Sequence, residues 1–267
     1  MRSNTFIFIL SITLTALYTS CSSDDDTSAL TGEGQVSIAF DNGVAGDDLI
    51  LHTSAYTNTN GERLTIDRLT YIVSNFTLTD DEGNTYVYPK DDSYFIISEE
   101  SDKTEITLNG IPAGNYTRIK FGVGVDQEKY LQGAEGQGDF LAEAETEEMM
   151  WSWQAGYKFL NFEGTFTSGS VTEATEFKIH MGSHGSSLDN YREVTLDLGT
   201  NAIVSETMSP LIHLAVDADK ILNGTNKIVL SEQAVIMISE EKSPMISENA
   251  TEMFSVDHVH NGSGSHH

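Results

Sequence analysis

From Val36 onward the chain is a succession of short runs rich in β-branched and aromatic residues, each ended by turn chemistry. "VSIAF", "LTIDRLTYIVSNFTL", "TYVYP", "YFIIS", "EITLNGIPAGNYTRIKFGVGV", "FKIHMG", "EVTLDL", "LIHLAVDAD" and "KIVL" read as strands. "DEGN", "NGIPAGN" and "LNGTN" read as the turns between them. Many short strands without alternating helices specify an all-β fold, an antiparallel β-sandwich. One stretch departs from this pattern. "DFLAEAETEEMMW" holds strong helix formers, with Asp139 as the predicted N-cap. It predicts a short helical insertion just before the only two tryptophans, Trp151 and Trp153, in "MMWSWQAGYKF".

The N-terminus carries a different signal. One Arg, an apolar run from Phe6 to Leu17 and small residues up to Cys21 read as a secretory leader over residues 1–20. The run is too short for a spanning helix. Cys21 is the single cysteine of the 267 residues, so no internal disulfide can form. A lone Cys closing a leader marks a lipidation site, although Tyr18 stands where a lipobox usually has Leu. Residues 21–35, with "SSDDDTSALTGEGQ", form a polar acidic tether with too little apolar surface to fold. The domain is expected over 36–260, followed by a mobile His-containing tail over 261–267. The formal net charge of −27 argues against nucleic acid, whose phosphates need a basic surface. It argues equally against adsorption to anionic lipid, so membrane attachment would rest on the lipid anchor only.

No catalytic constellation emerges: G-x-S-x-G, H-E-x-x-H, P-loop and C-x-x-C patterns are all missing. The expected protein is not an enzyme. "DDEGN" and "DADKILNGTN" are acidic but do not reproduce a calcium loop and read as turns. The histidines carry more information. In "EFKIHMGSHG", alternation puts Phe177, Ile179 and Met181 on one face and Lys178 and His180 on the other, so His180 is not core filler. In "LIHLAVD", His213 shares a face with Leu211 and Ala215, which by default reads as a satisfied core histidine. "DHVH" puts His258 and His260 in phase if extended, a spacing that chelates a metal when a third ligand is near. Imidazole suits copper and zinc. Trp151 and Trp153 would share a face with Ala155 and Tyr157. The pair reads as packed core, as a sugar-stacking platform, or as a site of oxidised tryptophan beside a metal.

Two blocks carry a family resemblance. The first is "FDNGVAGDDLILHTSAYTNTNGERLTIDRLTYIVSNFTLTDDEG" with "IPAGNYTRIKFGVGVD". The second is "MMWSWQAGYKFLNFEGTF", "FKIHMG" and the closing "MFSVDHVH". Together they resemble the MbnP-like copper-binding proteins over about Val36 to His260. The resemblance implies an exported β-sandwich that binds one copper ion through histidines and a tryptophan oxidised to kynurenine. It also implies a partner, a di-haem enzyme of the peroxidase type that installs the modification. The implied modified residue is Trp151 or Trp153. The implied ligands are His180 first, then His258 and His260, then His213. The chain departs from the family at Asn42, where many relatives carry a histidine, which implies either that His52 or a tail histidine substitutes or that copper binds poorly.

The expectation is therefore an outer-membrane lipoprotein, facing the periplasm or the cell exterior, for copper acquisition or handling. The competing class is a cell-surface carbohydrate- or protein-binding sandwich that uses the tryptophan pair for stacking.

Overall fold

The computed structural model describes residues 30–152, 155–185 and 187–262. The expected leader, Cys21, most of the tether, Trp153 and the tail from 263 onward lie outside the described residues. Strands are numbered along the chain. The smaller of the two main sheets holds β1 (Glu33–Val44), β2 (Asp47–Asp48), β7 (Glu105–Pro112), β14 (Leu211–Asp217) and β16 (Phe254–His260). Its order is β16-β14-β1, and β2 and β7 also pair with β1. The larger sheet runs β13 (Arg192–Val204), β8 (Gly114–Val123), β4 (Arg63–Asp80), β11 (Leu160–Thr167), β12 (Thr175–Met181), β15 (Val235–Ile236). The short β3 (Ala55–Thr57), β5 (Thr85–Val87) and β6 (Tyr94–Ser98) also pair with the long β4.

Period-2 alternation builds the core. Val36, Ile38 and Phe40 of β1 and Ile212, Leu214 and Val216 of β14 are all buried. They face a matching set on the larger sheet. Phe40 and Phe254 from one sheet meet Tyr71 and Phe121 from the other at ring-centroid distances of 5.1 to 6.4 Å, all edge-on. The expected sandwich is thus present, but it is not antiparallel throughout. β1 pairs with β14 and β12 pairs with β15 in parallel. Each parallel pairing is reached by a long crossover, which a hairpin cannot supply. "KIVL" is not a strand, although Ile228 and Leu230 enter the core.

The helical insertion is present, in pieces. α1 (Gln127–Tyr130) is capped by Asp126, whose side chain accepts from the Lys129 N–H. α2 (Asp139–Thr146) starts at the expected cap residue, so its cap lies one position earlier than expected. Gly138, at φ 60°, occupies the N-cap, and Asp139 is the first helical residue. After α2 the chain forms a small hairpin of β9 (Met150–Ser152) and β10 (Gly156–Tyr157). Trp151 and Tyr157 are therefore on two paired strands and not on one continuous extended face, which corrects the single-strand expectation. Two further helices, α3 (Lys220–Asn223) and α4 (Lys242–Thr251), pack on each other near the C-terminus. Among the described residues, no helix is long and apolar enough to cross a membrane.

The described residues between Asp126 and Lys158 lie as a roof on the outer face of the larger sheet. Arg68 of β4 fastens it, donating to the Glu147 carbonyl at 2.6 Å and to Glu148 Oε2 at 2.7 Å. Phe140 of α2 packs on Tyr94 and Tyr157. Under the roof, outward-facing residues are buried as if in a core: Thr70 at 0%, Asn161 at 1% and His180 at 5% exposure.

Candidate metal centre

β12 supplies the first element of the site. Phe177, Ile179 and Met181 point into the core, as alternation requires, and His180 points outward beneath the roof. Its Nε2 lies 2.6 Å from Oε1 of Glu163, which stands on β11 two residues along from Asn161, the residue directly across from His180. A carboxylate only accepts, so a contact this short requires the proton on Nε2. The Asn161 amide lies against the same pair, with one end 2.8 Å from Glu163 Oε1 and 2.9 Å from His180 Nε2 and the other 3.3 Å from Arg68 Nε. The ring is neutral at ordinary pH: burial lowers the His180 pKa, outweighing the Glu163 hydrogen bond that raises it. A neutral ring with its proton on Nε2 has its lone pair on Nδ1. That atom is buried and has no hydrogen-bond partner among the described residues.

Two more nitrogens at this end of the sheet are in the same condition. Trp151 Nε1 and His184 Nδ1 are both buried without a partner among the described residues. Gly182 explains how the indole gets there. A Cβ at that position would run into the Tyr157 carbonyl oxygen and stand 3.1 Å from Trp151 Cζ3. The missing side chain lets the β9–β10 hairpin lie on the end of β12. His184 follows in a turn pinned by its own N–H to the Leu188 carbonyl at 2.9 Å and by Asn190 Nδ2 to the Gly182 carbonyl at 2.8 Å.

Buried polar atoms are normally satisfied, and each exception calls for an explanation. Around the end of β12 they are a histidine lone pair oriented by a carboxylate, a second imidazole, an indole N–H, and the amide oxygens of Asn190 and Gln127, whose nitrogens bond the Gly182 and Gly185 carbonyls. A carboxylate that orients a histidine through its remote nitrogen is the usual outer shell of a metal-ligating imidazole. The residues fit a borderline or soft transition-metal ion. Among the described residues, no three or more His, Cys, Asp or Glu side chains are placed to enclose a metal together. A complete site here needs a donor of another kind.

The other expected ligands are elsewhere. His213 pairs with His258, and Leu211 with His260, on β14 and β16 of the smaller sheet. His213 is not a core histidine: its strand buries Ile212, Leu214 and Val216, so 213 faces outward. His52 sits exposed at φ 64°, with Nδ1 3.1 Å from Asp67 Oδ1, and does not join His180. Asn42 accepts from the Tyr71 hydroxyl at 2.9 Å and donates to Glu99 at 3.0 Å, filling its position with an ordinary polar network. Trp153 lies outside the described residues. His184 was missed by sequence reasoning. The signal was the H-x3-H spacing in "HMGSHG", which reads as two turns of nothing in a strand and becomes meaningful only when a turn follows Met181.

Residues 33–239 match the family model described as MbnP. Among solved structures, MbnP from Methylosinus trichosporium is similar at a TM-score of 0.46 and 14% identity, over 78% of this chain and 81% of that chain. No curated protein sequence matches.

Proposed function

The chain belongs to the MbnP family, whose model spans most of it, and from that premise we propose that it is a non-enzymatic protein that binds copper as cargo at the roofed end of β12. The observation that supports this reading is the set of three buried, unpartnered nitrogens on His180, His184 and Trp151. His180 would ligate through Nδ1, held in the correct tautomer by Glu163. His184 would supply a second imidazole. An indole N–H can only donate, so Trp151 becomes a ligand only after oxidation.

Conversion of Trp151 to kynurenine provides that change. Two equivalents of hydrogen peroxide add two oxygen atoms across the indole C2–C3 bond and leave as two waters, giving N-formylkynurenine. One further water then releases formate and leaves an aromatic amine and a ketone. The proposed catalyst is a di-haem peroxidase-type partner. Trp151 is preferred over Trp153 because its ring packs against Gly182, between His180 and His184 in the chain, and its nitrogen is buried without a partner among the described residues. We also propose export, with acylation of Cys21 anchoring the protein in the outer membrane and the tether holding the domain away from it.

The test uses protein purified from its native host. Its copper content is measured, and the "MMWSWQAGYK" peptide is sequenced by tandem mass spectrometry. One copper per chain with kynurenine at position 151, both lost in Trp151→Phe, supports the reading. Unmodified tryptophan and no copper after incubation with the metal overturns it, and leaves the sugar- or protein-binding sandwich as the alternative.

A further inference from the structure

The larger sheet ends in an edge that the site under the roof does not use. β15 is its last strand and lies parallel to β12, with Lys178 paired to Val235 and Ile179 to Ile236. Ile236 enters the core. Its neighbours do not: Val235 is 50% exposed, Met237 42% and Ile238 47%. Six large apolar side chains are exposed among the described residues, and these three fall within four consecutive positions. The Ala234 carbonyl accepts from the Lys178 N–H at 2.9 Å, so it faces β12. Backbone groups alternate sides along a strand, which turns the Val235 N–H and carbonyl toward the free edge. That carbonyl accepts from the exposed Gln233 amide at 3.3 Å, a long contact that an incoming N–H would replace. Edge strands are ordinarily protected by charge, proline or a bulge. The stretch from Ala234 to Ile238, "AVIMI", holds neither charge nor proline.

We propose that this edge docks an extended segment of a partner protein, apolar at alternate positions and carrying lysine or arginine at its ends. The segment adds to the larger sheet as a strand beyond β15. Strand addition draws affinity from main-chain hydrogen bonds and specificity from alternate side chains. The charge around the patch selects the sign of the partner. Glu232, Glu240 and Glu241 flank it in the chain and are exposed, as are Glu173 just before β12 and Glu176 at its start. Set against them are Lys178, 3.9 Å from Glu176, and the half-buried Lys242. On a chain of formal net charge −27, this balance favours a basic segment. The same charges argue against a second copy of this chain. A two-fold antiparallel pairing of β15 would set Glu232 of one copy toward Glu240 and Glu241 of the other, and like charges opposite each other are destabilising. They argue against anionic lipid as well, which attracts basic segments. None of these residues is among the proposed ligands, so docking does not depend on the metal.

The test titrates the metal-free full chain into two short labelled peptides and follows fluorescence anisotropy. The first peptide is Lys-Lys-Val-Thr-Val-Thr-Val-Lys-Lys, and the second carries Glu in place of every Lys. Val235→Pro removes the N–H that faces the free edge and leaves the Ile236 pairing to β12 in place. Met237→Lys adds an edge charge of the kind that blocks strand addition. Val87→Lys makes the same charge change at an exposed apolar position away from this edge. All three positions are exposed, and circular dichroism confirms that the variants keep the fold. The basic peptide is expected to bind wild type and the acidic one not to bind. Val235→Pro and Met237→Lys should each weaken binding about tenfold, the upper range for one hydrogen bond, and Val87→Lys should leave it unchanged. No binding of the basic peptide to wild type overturns the proposal. So does binding that persists in either edge variant, or an equal loss in Val87→Lys, since each would be bulk attraction to an acidic protein. Equal binding of both peptides overturns the basic partner. Dimerisation of wild type in analytical ultracentrifugation, abolished by Met237→Lys, would make the occupant a second copy and overturns it as well.

Discussion

The two sheets present the same chemistry on their outer faces and treat it in opposite ways. On the larger sheet, His180 and its carboxylate partner Glu163 are roofed by the described residues between Asp126 and Lys158, and His180 is 5% exposed. On the smaller sheet, His213 and His258 with Asp41 and Asp257 stand open to solvent. The difference shows that neither the strand pattern nor the histidine–carboxylate pairing decides what an imidazole can do here. The cover decides. Under the roof an unpartnered nitrogen is costly, roughly 1–3 kcal/mol for a buried polar atom without a hydrogen bond, so His180 Nδ1, His184 Nδ1 and Trp151 Nε1 need a ligand to offset that cost. On the open face water satisfies every spare lone pair, and the fold gains little from a metal there.

The largest effect should come from lifting the roof. Gly182→Ala puts a Cβ into the Tyr157 carbonyl and against the Trp151 ring and Lys158 Cα. The obstructing atoms include backbone, which does not yield as a side chain end would. Overpacking of this kind costs about 1–3 kcal/mol, and the upper part of that range is expected. Urea unfolding measures the loss. Modification of His180 by diethylpyrocarbonate should accelerate in parallel, whereas the rate at His258 should stay as in wild type. Equal acceleration at both histidines would mean that the whole sandwich had loosened and that the roof is not a separate device.

The anchor of the roof should respond to pH. Burial pushes the Asp126 carboxyl up, but hydrogen bonds from Tyr94, Asn75, Lys90 and the Lys129 N–H more than offset it and bring its pKa down to about 2. The ordinary value is 3.8. A folded-state pKa below the unfolded one contributes stability that is fully present above about pH 4 and is lost as pH falls toward 2. The shift corresponds to about 2 kcal/mol. Asp126→Asn should remove that contribution at pH 7 and flatten the acid limb of the stability profile between pH 4 and 2. An unchanged acid limb would mean that other carboxylates hold the roof.

Much of this architecture was legible in the sequence, and the failures share a cause. Alternation placed Phe177, Ile179 and Met181 on one face and His180 on the other, and the structure agrees. Alternation names residues that share a face without saying which face is inside. His213 was read as core because Leu211 and Ala215 flank it, yet Ala215 is exposed and the inward residues are the even-numbered ones. Trp151 and Tyr157 read as one extended face because nothing local marks the reversal between their strands except Gly156, whose φ of 96° is visible only in the folded chain. The burial of His180 was also illegible, since it comes from a segment whose helix propensity predicts α2 but not where α2 lands. His184 lay in plain view at H-x3-H, and its turn geometry was needed to give it meaning.

Next in size is the outer-shell carboxylate under the roof. Glu163→Gln keeps an acceptor opposite His180 Nε2 and removes the charge that strengthens the pairing. Copper affinity at the roofed site should fall about tenfold. Competition with a chelator of known affinity reads it. An unchanged affinity would mean that the carboxylate under the roof does no more than those on the open face, and would collapse the comparison.

The smallest effect is the most discriminating for the open face. If His213 and His258 were retained for packing, replacing either should destabilise the sandwich. Their stacked rings and carboxylate contacts are solvent-exposed, where hydrogen bonds and ion pairs contribute little because water competes for them. His258→Ala should therefore change metal-free stability by no more than about 0.5 kcal/mol, within the range of ordinary surface substitutions. Thermal unfolding with a chelator present measures the change. A large loss would make the pair a structural cross-strand contact, and exposure would then no longer separate the imidazoles of the smaller sheet from the one under the roof.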